Sequence, residues 1–211
     1  MNKERLLVVG DIHGEYDMLC KVLKKADYNP AQDQLFFVGD YIDRGPQSSK
    51  VVTKIKELVA GGAIAIKGNH EEMAYNYIKQ DGNDQGLYFR NGGRKTIASY
   101  KNFEQFKNDV MWLHELPLKK VVPGQYIFVH AGLKPGIGLK DQQKRDLLWI
   151  RNEFLMYDWS REDLEETIVA GHTPFPEVKY YSGVIIVDTG AGKGGYLSLL
   201  DLTNDQVYSA S

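Results

Sequence analysis

Four of the five histidines in this chain, and three of its aspartates, sit in five short glycine-flanked turns. The turns read Gly10-Asp11-Ile12-His13-Gly14, Gly39-Asp40-Tyr41-Ile42-Asp43-Arg44-Gly45, Gly68-Asn69-His70-Glu71, His130-Ala131-Gly132 and Gly171-His172-Thr173; only His114 falls outside them. Imidazole is the commonest protein metal ligand near neutral pH. Together with carboxylate and amide oxygens it suits Mn²⁺, Fe or Zn²⁺. Two such cations a few ångströms apart need a carboxylate between them, because it has two oxygens and a charge that offsets their repulsion. Asp11 and His13 leave one apolar run two residues apart, so a single turn can bring both to one ion. Asp40 follows 29 residues later (40 − 11) and Asn69 a further 29 (69 − 40), the interval that successive strand–helix units give. His130 and His172 each end a later apolar run and can complete a second ion. Asp43 can orient His70 by accepting a ring N–H, as carboxylates beside metal sites commonly do. Arg44, in the same turn, offers a planar fork matched to phosphate oxygens. Any one of these residues alone could be a turn former or helix cap. Their convergence points to two-metal hydrolysis.

Short apolar runs and amphipathic helices must position these turns. Residues 6–9, 35–38 and 63–66 are continuous apolar runs of the kind that form buried strands. Each is followed by a turn motif and then by a helical pattern. Tyr16, Leu19, Cys20 and Leu23 share one helical face, which places Cys20 on a buried stripe as inert packing. Val51, Val52, Ile55, Leu58 and Val59 line the next helix, and a third runs over about 71–79. This alternation predicts an open, mostly parallel sheet with ligands outside the carboxyl ends of its strands. Residues 80–91 contain Asp81-Gly82-Asn83-Asp84 and read as an exposed loop. An amphipathic helix follows over 103–113, with His114 at its end, where a surface or capping role fits better than ligation. Beyond it, 126–129, 167–170, 184–187 and 196–201 read as strands with one helix among them, near 146–154. They predict a second sheet packed on the first. No linker, repeat or low-complexity segment divides the chain, so residues 1–211 are expected to form one domain.

Composition narrows the possible functions. A formal net charge of −2 offers no single-sign field for nucleic acid. The single cysteine permits no internal disulfide and fits a reducing, cytoplasmic setting. No signal-peptide pattern opens the chain, and no apolar stretch approaches the roughly 18–20 residues that span a bilayer. The first turn lacks the G-x-G-x-x-G spacing of a dinucleotide fold. Nothing in the sequence reports an oligomeric state.

The five motifs, taken in order, resemble the PPP family of serine/threonine phosphatases within the calcineurin-like metallophosphoesterases. They are most similar to its short bacterial and bacteriophage lambda type. Asp188-Thr189-Gly190 and Gly194-Gly195 resemble the tail of that group, so the likeness covers nearly the whole chain. The resemblance implies an α/β, partly α+β, fold: a two-sheet β-sandwich flanked by helices. It also implies two divalent ions, Mn²⁺ before Fe or Zn²⁺. Asp11, His13 and Asp40 would hold the first ion; Asp40, bridging, with Asn69, His130 and His172 would hold the second. A water or hydroxide between the ions attacks phosphorus in line, with no phosphoenzyme. His70, paired with Asp43, is the general acid, and Arg44 grips the phosphate. The family uses a second arginine between the last two histidine motifs. Arg151, after Trp149 and 21 residues before His172 (172 − 151), fits that pattern, with Arg145 and Arg161 as competitors.

The implied substrate is a phosphorylated protein or a small phosphoester. A neighbouring branch hydrolyses diadenosine tetraphosphate and shares the ending Gly171-His172-Thr173-Pro174. That branch typically has alanine where this chain has Asp43, and aspartate where it has Glu71, so both positions favour the phosphoprotein branch. Phosphodiesterases of the wider superfamily usually end Gly-His-x-His, whereas here Pro174 stands two residues after His172. A non-catalytic scaffold on the same fold would have lost ligands or the acid, and none is missing. The purified protein should therefore hydrolyse p-nitrophenyl phosphate in the presence of Mn²⁺ and lose that activity to a chelator. Full activity in metal-free enzyme would contradict the two-metal reading.

Overall fold

The computed structural model describes residues 3–80, 85–162 and 164–211. Five strands form the first sheet: β1 (Arg5–Val9), β2 (Asp33–Phe37), β3 (Ile64–Ala65), and from the far end of the chain β9 (Leu197–Asp201) and β10 (Gln206–Ala210). Their order is β10-β9-β1-β2-β3. β1 runs parallel to β2, and β2 to β3, while β9 lies antiparallel to both β1 and β10. The second sheet holds β4 (Lys119–Val122), β5 (Tyr126–Val129), β6 (Thr167–Ala170), β7 (Lys179–Tyr181) and β8 (Val184–Ile186), in the order β4-β5-β6-β8-β7. Strands β5, β6 and β8 are parallel to one another.

The sequence pattern explains this layering. Strand β1 is apolar at every step from Leu6 to Val9 because both its faces are covered. Leu7 and Val9 enter the core under the helices, while Val8 packs between the two sheets with Phe36, Val38, Ile66, Phe128, Val169, Val187 and Leu200. Phe36 and Phe128 stack across that interface with ring centroids 4.0 Å apart. Helices α1 (Tyr16–Lys25), α2 (Ser48–Ala60), α3 (Asn69–Lys79), α4 (Gln85–Arg90), α5 (Gly93–Ser99) and α6 (Phe103–His114) contribute to the core on the first sheet's outer face. The second sheet's outer face carries a smaller core that includes α7 (Lys144–Trp149) and α8 (Asn152–Leu155). Among the described residues no helix is long and apolar enough to cross a membrane.

Several expectations need correction. The strand expected over 196–201 belongs to the first sheet, not the second, so that sheet is mixed rather than mostly parallel. Strand β9 is buried along its whole length, and periodicity cannot say which sheet covers such a strand. The segment expected as an exposed loop over 80–91 contains α4, whose Tyr88 is buried against Tyr77 and Phe106; residues 81–84 lie outside the described residues. Cys20 is half-buried rather than fully packed. The helix expected near 146–154 is two short ones, broken at Ile150–Arg151. His114 lies half-buried in the last turn of α6, with Nδ1 3.6 Å from a Glu72 carboxylate oxygen. Burial and the nearby Lys67 ammonium hold its pKa below the usual value, and Lys67 itself donates to the His114 carbonyl at 3.0 Å.

Phe128 links the two sheets without any exposure. Phe128→Ala should lower stability by about 3–5 kcal/mol, the usual cost of emptying a large aromatic site. Urea unfolding checks this, and a loss under about 1 kcal/mol would show that the inter-sheet layer closes around the gap.

Candidate metal centre

The site lies where β1, β2, β3, β5 and β6 end. Each strand releases a turn, and the turns cross in unusual backbone conformations. Among the described residues seven non-glycine residues have positive φ, and His13 (49°), Asp40 (56°), Asp43 (72°), Arg44 (68°) and His172 (65°) belong to the site motifs. L-residues in this region cost free energy and persist only where the surroundings over-determine them, most often at functional sites. The glycines allow the turns to meet. A Cβ on Gly39 (φ 100°) would lie 2.6 Å from the Gly68 nitrogen, and one on Gly171 would lie 2.1 Å from an Asp11 carboxylate oxygen.

Glu71 closes the first half of the site. At the third position of α3, its carboxylate accepts from the N–H of Gly68 (2.9 Å), Asp40 (2.9 Å) and Tyr41 (2.8 Å). It thus caps its own helix in the manner of a capping box and pins the Asp40 turn to the Asn69 turn. Burial and the nearby Asp40 push this carboxyl up to about 7, against the pull of the backbone donors.

Asp40 occupies the middle. One carboxylate oxygen lies 3.4 Å from His130 Nε2 and accepts from the His70 N–H at 3.0 Å. The other lies 3.5 Å from His13 Nε2 and 3.8 Å from His70 Nε2. Ligand atoms of His13, Asp40 and His70 fall within 4.8 Å of one another, and so do those of Asp40, His130 and His172. Asn69 Oδ1 meets His130 Nε2 at 2.8 Å and His172 Nδ1 at 3.0 Å. Two buried donor sets therefore share one carboxylate, as two neighbouring cations require.

Other contacts test whether this cradle suits cations. His172 Nε2 is buried without a hydrogen-bond partner among the described residues. The Arg44 guanidinium spans the first donor set, with Nη1 2.5 Å from His13 Nε2 and Nη2 2.9 Å from His70 Nε2. A cationic group thus already lies against the outward nitrogens of two imidazoles. Carbonyl oxygens of Ile42 and Val38 lie 2.9 and 2.8 Å from the Nδ1 atoms of His13 and His130. These contacts favour the tautomers that leave Nε2 free as a ligand. The donor set fits two divalent ions.

Charge separates the four histidines. Burial, against the pull of Asp40, holds His13, His130 and His172 below the usual imidazole value, His172 at about 2. Burial opposes charge on His70 as well, yet Asp40 and the hydrogen bond to Asp43 prevail and raise its pKa. His70 Nδ1 lies 2.6 Å from Asp43 Oδ2, and Asp43 is fully buried. Burial also disfavours charge on Asp40, but the imidazoles of His130, His70, His13 and His172 overcome it and hold that carboxyl well below its normal range.

The sequence-predicted residues converge unevenly. Asp11 is buried beside the pair, but its oxygens accept from the His172 N–H at 3.0 and 3.2 Å instead of joining the His13 set. Arg151 is exposed, with Nη1 3.4 Å from the Thr173 hydroxyl, and its charge contributes to lowering the pKa of His130 and His172. Trp149 presents its ring edge-on to His172 at 6.0 Å. Arg145 lies exposed on α7, and the Arg161 side chain is outside the described set. Two participants escaped the sequence reading as individual residues. Thr96 accepts from the Asp43 N–H at 2.8 Å and donates to Asp43 Oδ1 at 2.6 Å; a threonine inside a short helix carries no signal of this. Asp188 is buried beside Asp11 and raises its pKa. Its own carboxyl is pushed up to about 6, chiefly by burial, and its place at the end of a strand was the available clue.

Comparison with known proteins agrees with this geometry. A family profile described as calcineurin-like phosphoesterase matches residues 4–195. A serine/threonine-protein phosphatase 1 of Salmonella typhimurium is 31% identical, over 94% of this chain and 92% of its own. A bis(5'-nucleosyl)-tetraphosphatase of Bacillus cereus is 29% identical, over 96% of this chain and 92% of its own. A solved structure described as a candidate diadenosine tetraphosphatase superposes with a TM-score of 0.75 at 23% identity, covering 99% of this chain and 93% of that one. Fold and site together define a metal-dependent phosphoester hydrolase. The chain belongs to the calcineurin-like phosphoesterase family, and within it to the PPP type.

Thr96→Val keeps the shape of the side chain but removes the donor to a carboxylate oxygen of Asp43 and leaves the buried Asp43 N–H only its longer contact with the Ser48 hydroxyl, at 3.2 Å. It should destabilise the fold by about 1.5–3 kcal/mol, the scale of hydrogen bonds to charged groups. Urea unfolding measures it, and a change under about 0.5 kcal/mol would mean that water takes the hydroxyl's place.

Proposed function

We propose that the protein is a phosphomonoesterase acting on phosphorylated proteins, with phosphoserine and phosphothreonine as main substrates and phosphotyrosine as a further one. Residues 1–211 would act as a single catalytic domain. One observation carries the reading: the buried 2.6 Å pair of Asp43 and His70, which equips the site with a proton donor beside Asp40. A phosphomonoester of serine or threonine has a poor alkoxide leaving group, so a positioned acid is what its cleavage demands.

The contacts of the buried donor sets support the following roles, with Asp11 added on the resemblance of its motif. Asp11, His13 and Asp40 would hold one divalent ion; Asp40, Asn69, His130 and His172 would hold the other. When bound, the ions, Mn²⁺ before Fe or Zn²⁺, supply charge neutralisation and acidify the attacking water. Arg44 exchanges its imidazole contacts for phosphoryl oxygens, which its fork fits better than it fits a ring nitrogen. Freed of that contact, His70 Nε2 faces the ester oxygen and delivers its proton there, while Asp43 and Thr96 keep the ring in place. Arg151, at the open side of His172, meets a second phosphoryl oxygen.

Hydrolysis of a dinucleoside tetraphosphate is the second reading, supported by the similarity to the Bacillus cereus enzyme. A panel of phosphopeptides and diadenosine tetraphosphate under saturating Mn²⁺ separates the two. We expect higher kcat/KM on phosphopeptides, and a clear preference for the dinucleotide would reverse the order. Run on the same panel, His70→Asn should cut kcat by roughly 10²-fold with bound metal nearly unchanged; an unaltered kcat would remove His70 from the mechanism.

A further inference from the structure

Residues 85–103 contain Arg90, Arg94, Lys95 and Lys101 and no acidic residue, in a chain whose net charge is −2. This stretch also forms one wall of the site. A Cβ on Gly92, between α4 and α5, would lie 2.6 Å from the Arg44 nitrogen, and Thr96 of α5 holds Asp43. Two of the four cations have other neighbours: Lys95 lies near Glu15, and Lys101 lines a separate depression with Glu57. Arg90 and Arg94 are exposed and have no ion-pair partner among the described residues. They stand two residues before and two after Gly92.

Together they line a cleft of about 320 Å³ with Gly86 and Phe89. The Arg94 guanidinium lies over the Phe89 ring, 4.3 Å from its centroid. Arg90 lies along the backbone of the preceding turn, where a Cβ on Gly86 would come within 3.1 Å of Nη1. Stacking uses the face of a guanidinium and leaves its in-plane N–H donors available. The cleft thus pairs an apolar floor with two sets of donors that no carboxylate of the described chain satisfies.

We infer that this cleft is a specificity subsite that receives an acidic side chain of the substrate, close in sequence to the phosphorylated residue. The inference rests on the protein-phosphatase reading above. An extended peptide advances about 3.3 Å per residue, so a carboxylate two to four residues from the phosphoresidue lies about 7–13 Å from the phosphate. The segment that carries the arginine pair meets Arg44 at Gly92, so a substrate held at Arg44 brings such a carboxylate toward that segment.

The test compares peptides that differ only in glutamate or glutamine two to four positions from the phosphoresidue, made with phosphoserine and again with phosphotyrosine. Wild-type enzyme loaded with Mn²⁺ should prefer the glutamate peptides by roughly five- to tenfold in kcat/KM, as two partly exposed ion pairs allow. The preference should fade as salt rises. In the R90Q/R94Q double variant it should fall to within twofold, with p-nitrophenyl phosphate hydrolysis unchanged. Equal rates on both peptides, or a preference that survives the double substitution, would overturn the inference and leave the protein-phosphatase reading intact. Failure to cleave any peptide while cleaving p-nitrophenyl phosphate would overturn both.

Discussion

The carboxylate of Glu71 is the constraint from which the rest of the site follows. It is buried, and it accepts from backbone N–H groups of two different loops, at Gly68 and at Asp40–Tyr41. An unpaired buried N–H costs free energy comparable to a lost hydrogen bond, so three such donors on one residue lock the ends of β2 and β3 together. Only in that register does Asp40 point between the imidazoles and His70 lie over Asp43. The left-handed backbone at Asp40, Asp43 and Arg44 persists because these contacts leave the turn no easier path.

Electrostatics then divides the labour. Burial strips water from four imidazoles at once, and in three it lowers the pKa, which favours the form in which a ring nitrogen can ligate. His70 differs because two carboxylates, Asp40 and Asp43, face it. Position relative to those two acids, more than any property of histidine itself, sets one ring apart as the one whose pKa is raised.

Packing supplies the rigidity that such geometry needs. The aromatic and branched side chains between the sheets, led by the stacked Phe36 and Phe128, fix the strand ends of both sheets relative to each other. His130 and His172 come from the second sheet and the other motifs from the first, so slippage between sheets would separate the two donor sets. Helices α4 and α5 form the third side. Their aromatic interior, Tyr88 against Tyr77 and Phe106, seats Thr96 against Asp43, while their outer surface carries the exposed Arg90 and Arg94.

The sequence by itself determined the candidate ligand types, the order of the turns and the strands that end in them. Those properties are local: an apolar run, a glycine, then Asp or His, repeated at a spacing that βα units impose. The two-sheet sandwich was also legible, since strands continue after the last amphipathic helix. Tertiary structure decided the placement of β9, because a strand buried on both faces has no period that says which sheet covers it. It also decided the helix in the 85–90 segment, where packing of Tyr88 outweighs the turn-forming residues before it. The role of Thr96, the closeness of Asp188 to Asp11 and the contact of Arg44 with His13 and His70 belong to the same class. Each joins residues that are distant in sequence, and no local pattern records a partner that only the folded chain brings near.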